Sequence, residues 1–175
     1  MDKIAERKDQ IMSDIERALK ILKFYENFYV GLNGNAKKYL KCQSAKYKEA
    51  LLNIQEIILP SIKKTCPTCV EGCCKLYEAK RSIYMAGAVG GFGCVDYLLV
   101  RCDTQLPDLC CENAENNLCL FFDSGCTLPA DCRSYECIRY FCDQLNNQID
   151  MQLISKYLEE AESILTDFSI RRLVL

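Results

Sequence analysis

The sequence predicts a mainly α protein: a helical hairpin and a C-terminal helix forming a bundle, with an irregular cysteine-rich segment inserted between them. Three observations predict it. Apolar residues recur at steps of three and four in two N-terminal stretches and again near the C-terminus. Of the 14 cysteines, all but Cys42 fall between Cys66 and Cys142. Within that interval glycines and asparagines collect (Gly87, Gly90, Gly91, Gly93, Asn113, Asn116, Asn117) and aliphatic periodicity is weak.

The first helix follows from Ile4, Ile11, Ile15, Ala18, Leu22, Tyr25 and Tyr29, with charged residues between them. Gly31-Leu32-Asn33-Gly34-Asn35 supplies residues that tolerate left-handed backbone and ends it. A second helix is expected from about Ala36 to Leu59, with Leu40, Tyr47, Leu51, Ile54 and Ile58 on one face and Pro60 closing or kinking it. So short a connection predicts an antiparallel hairpin over residues 1–62. After the cysteine-rich segment, residues 63–143, a C-terminal helix over 144–175 carries Leu145, Ile149, Ile154, Leu158, Ala161, Leu165 and Phe168 and is expected to pack on the hairpin. These stripes are read as core, because surface helices bury one face in this way.

Composition narrows the functional classes. A formal net charge of -2, with acidic and basic residues intermixed, lacks the basic footprint of a nucleic-acid binder. No apolar run approaches the ~20 residues of a membrane span. The opening Met1-Asp2-Lys3-Ile4-Ala5-Glu6-Arg7-Lys8 shows no apolar core and no small-residue cleavage site, so a cytoplasmic protein is expected. Cytosolic thiols are kept reduced, and dense cysteines there point to metal ligation or redox chemistry before a disulfide scaffold; the even count leaves the scaffold as the alternative.

The thiols fall in two groups. Cys66-Pro67-Thr68-Cys69 places two sulfurs in one turn, a spacing that lets both hold one metal; Cys73 and Cys74 follow after Gly72. Cys119, Cys126, Cys132 and Cys137 are spaced more widely, so these ligands would converge from loops and turns. With no histidine in the chain, a site is built from sulfur alone or sulfur with oxygen, which leaves an iron–sulfur cluster or tetrahedral zinc. A single short Cys-x-x-Cys knuckle and surplus thiols favour the cluster, whose several irons spread their ligands over a larger volume. Lys75, Arg133 and Arg139 stand near these ligands in sequence and could offset a cluster's negative charge; basic residues facing solvent are the plainer reading. Cys42, inside a helix, is expected to be a small buried hydrophobe. Cys94, Cys102, Cys110, Cys111 and Cys142 remain unassigned, and the dense set Cys102, Cys110, Cys111 and Cys119 could build another centre.

At these residues the chain resembles the YkgJ-like cysteine-cluster family, described as a zinc- or iron-chelating domain with eight characteristic cysteines. The family opens with two cysteines spaced by two and then a cysteine pair, as in Cys66, Cys69, Cys73 and Cys74. It closes with a proline shortly before a Cys-Arg-x-aromatic-x-Cys element, as in Cys119, Cys126, Pro129, Cys132, Arg133, Tyr135 and Cys137. The resemblance covers roughly Cys66 to Cys137 and implies those eight cysteines as the metal ligands. Three functional classes follow: a redox or electron-transfer protein with an unknown protein or redox partner, a structural zinc-binding interaction module, and an iron–sulfur-dependent modification enzyme. The last class follows from the flagellin lysine methylase of the same broad grouping, which joins such cysteines to methyl transfer.

Overall fold

The computed structural model describes residues 16, 20, 23–65, 92–104, 130–133, 135–139 and 143–168. Among them the chain is helical, with no strand. Residues 23–31 form α1, followed by α2 (Gly34–Thr65) and α3 (Phe92–Arg101). A 3-10 turn at Ala130–Cys132 leads into α4 (Tyr135–Arg139), then α5 (Asp143–Asn146) and α6 (Met151–Asp167).

The break between α1 and α2 is shorter than the five residues expected, because Asn33 caps α2. Its Oδ1 accepts the Ala36 amide at 2.9 Å, and its carbonyl accepts the Lys37 amide at 3.0 Å. Helix formation therefore resumes at Gly34, and Leu32 is buried in the connection. Both helices of the hairpin meet the α3 region in matching order. Tyr29 of α1 and Lys41 of α2 converge on Asp103, while Tyr25 and Tyr47 reach Tyr97 and Asp96 further back. The two helices therefore run antiparallel, as expected.

Pro60 neither closes α2 nor limits it, since the helix continues to Thr65. A proline removes one hydrogen bond to the carbonyl four residues earlier, here that of Glu56. Both Pro60 and Glu56 are exposed, so water can take over that carbonyl, while Ile58 and Thr65 are buried on either side. The predicted α2 stripe of Leu40, Tyr47, Leu51, Ile54 and Ile58 is buried throughout.

The C-terminal stripe is also core, with Leu145, Ile149, Ile154, Ala161, Leu165 and Phe168 buried and Leu158 packed against them. It spans two helices rather than one. Residues 147–150 interrupt it, and Asp150 starts α6 by accepting the Gln152 amide at 2.9 Å. Ser61 donates to the Gln148 carbonyl at 3.3 Å and Tyr39 stacks on Phe168 at 5.9 Å, so α6 runs antiparallel to α2 along most of its length.

The main departure from expectation is α3. Residues 92–101 were expected to be irregular and poor in apolar burial, yet Val95, Asp96, Tyr97, Leu98, Leu99 and Val100 are all buried. A helix buried on every side belongs to the centre of a bundle and shows no one-sided periodicity to detect. Gly93 lies in its first turn rather than in a loose glycine stretch. Tyr135 and Ile138 of α4 join the same core. The described part of the cysteine-rich segment thus supplies part of the bundle's interior.

Candidate metal centre

Where α3 ends, Asp103 takes the left-handed conformation (φ 57°) and the Thr104 amide closes back on the Arg101 carbonyl at 3.1 Å. Cys102 is thereby turned inward and buried. Lys48 reaches in from α2, donating to the Cys102 carbonyl at 3.0 Å and to Thr104 Oγ1 at 2.6 Å. The 3-10 turn brings Cys132 to the same place. Its Sγ lies 3.7 Å from the Val100 carbonyl oxygen and 3.7 Å from Asp131 Oδ1, and the residue is fully buried.

The charge of Lys48 therefore acts on both buried thiols. Burial pushes the Cys132 thiol up, Asp131 adds to this, and Lys48 pulls the other way. Cys102 is raised first by burial and then by Asp103, against hydrogen bonds from Tyr29 and Ser44 and the charge of Lys48. As free thiols both are held protonated and unreactive. Thiolate ligation at Cys132 would displace a proton and require a cation to compensate the buried charge.

The 3-10 turn and α4 are fastened to the bundle through Asp96. This buried carboxylate accepts the Tyr47 hydroxyl at 2.8 Å and the Tyr135 amide at 3.3 Å, so α3 supplies an acceptor to the first residue of α4. Between Cys132 and Tyr135 sits Arg133, whose buried Nε finds no hydrogen-bond partner among the described residues. An orphaned cationic donor one residue from a buried cysteine fits an anionic thiolate–metal group. Arg139, by contrast, lies over the Tyr135 ring at 5.5 Å.

Of the eight cysteines read as ligands, Cys66, Cys69, Cys73, Cys74, Cys119 and Cys126 lie outside the described residues, as does Lys75. Cys132 is placed as above, and Cys137 lies on α4 with only its backbone described. Cys94, on α3, is described to the same extent, and Cys110, Cys111 and Cys142 lie outside. Among the described residues no group of three or more Cys, Asp or Glu side chains is gathered to hold an ion.

Cys42 is exposed, which overturns its expected burial. It stands about 200° round α2 from Leu40, on the face opposite the buried stripe. Sequence reasoning missed Lys48, the cation that the fold places beside Cys102 and Cys132. Its only signal was its position next to Tyr47 on a helix face flanking the core. Among the described residues no helix is long and apolar enough to cross a membrane. No protein-family model, no curated protein and no solved structure matches this chain.

Proposed function

We propose that this protein binds metal through one or two cysteine-thiolate centres, preferentially iron–sulfur, and serves a cytoplasmic redox or electron-transfer role. The observation that carries the reading is the pairing of a fully buried Cys132 with the buried Nε of Arg133, which has no hydrogen-bond partner among the described residues. A donor of that kind costs stability unless an acceptor approaches it, and metal-bound thiolate sulfur is such an acceptor. Support comes also from the sequence, where thirteen cysteines crowd one segment of a chain without histidine. The likeness of Cys66, Cys69, Cys73, Cys74, Cys119, Cys126, Cys132 and Cys137 to the YkgJ-like pattern points the same way. A bound cluster would supply one-electron chemistry, with its potential set by nearby hydrogen bonds and burial.

Anaerobic purification of the full chain, followed by iron, zinc and acid-labile sulfide analysis with a visible spectrum, tests this. Iron, sulfide and absorption that bleaches reversibly on reduction are expected. A colourless zinc protein without sulfide would replace the redox role with a structural zinc module. A metal-free chain with its sulfurs bonded in pairs would end the metal reading. Cys69→Ser should release metal while leaving helical circular dichroism mostly intact, and full metal retention would remove Cys69 from the ligand set.

A further inference from the structure

We draw no further inference here: the strongest candidate, the buried thiols of Cys102 and Cys132 beside Lys48 where the end of α3 meets the 3-10 turn, belongs to the site already described, where no third Cys, Asp or Glu side chain is gathered among the described residues to complete an ion site.

Discussion

Replacing Tyr47 with phenylalanine isolates the hydrogen bond between α2 and Asp96, the carboxylate that also accepts the first amide of α4. Tyr47 and Asp96 are 0% and 1% exposed, and the hydroxyl donates to the carboxylate at 2.8 Å. The substitution removes one oxygen, leaves the ring packed and takes a donor from a carboxylate that water cannot easily reach. Hydrogen bonds to charged groups are worth about 1.5–3 kcal/mol, so a loss of about 2 kcal/mol is expected. In a chain of this length that corresponds to a fall in Tm of roughly 4–8 °C. Urea denaturation followed by far-UV circular dichroism measures it directly. Asp96→Ala should cost more, about 3 kcal/mol or above, because it removes the acceptor of the Tyr135 amide as well as that of the Tyr47 hydroxyl. In the double variant the two losses should fall short of additive by about 1 kcal/mol or more, since both remove the same bond. A Tyr47→Phe protein within about 0.5 kcal/mol of wild type, or strict additivity, would refute the role assigned to Asp96.

Other measurements probe the remaining features. Tyr97 is pushed up to about 12, first by burial and then by the Glu26 carboxylate, so the folded state holds its proton more tightly than the unfolded chain does. The stability this provides is complete below pH ~10 and is lost as pH rises toward ~12; urea midpoints at the two ends of that window should therefore fall less steeply in Tyr97→Phe than in wild type. At Asp103, with φ 57°, glycine relieves the left-handed strain but gives up an exposed ion pair with Lys41 at 2.9 Å. Asp103→Gly should accordingly stay within about 1 kcal/mol of wild type, and Asp103→Ala should melt lower than Asp103→Gly; the reverse order would count against a left-handed cap. Cys42→Ser, on an exposed face, should change stability by no more than about 0.5 kcal/mol and leave metal content untouched. Any loss of metal in that variant would place Cys42 in a centre.

How much of this was legible in the sequence depended on whether burial was one-sided. The α2 stripe from Leu40 to Ile58 and the C-terminal stripe from Leu145 to Phe168 show their period because each faces the core on one side and water on the other. Val95 to Val100 gave no such contrast, since α3 is enclosed on every side, and it passed for irregular chain. Pro60 was overvalued as a stop, because its cost depends on whether water can reach the carbonyl it leaves unpaired. Residues 147–150 were undervalued, although Asp150 is a cap of the expected chemical type. In the candidate site, composition limits any side-chain ligand to sulfur and oxygen, but Lys48 was not readable, because its proximity to Cys102 and Cys132 arises from contacts more than fifty residues apart in the chain.

The amino-acid sequence by itself determined the helical class, the antiparallel hairpin, about half of the described core and the restriction of any metal site to sulfur and oxygen ligands. These depend on local periodicity and on which side chains exist. Tertiary structure alone decided that a helix from the cysteine-rich segment fills the bundle, that Asp96 secures the start of α4, and that Cys132 lies level with the first half of α2. Those outcomes depend on distances between residues remote in sequence, which are fixed only when the helices pack.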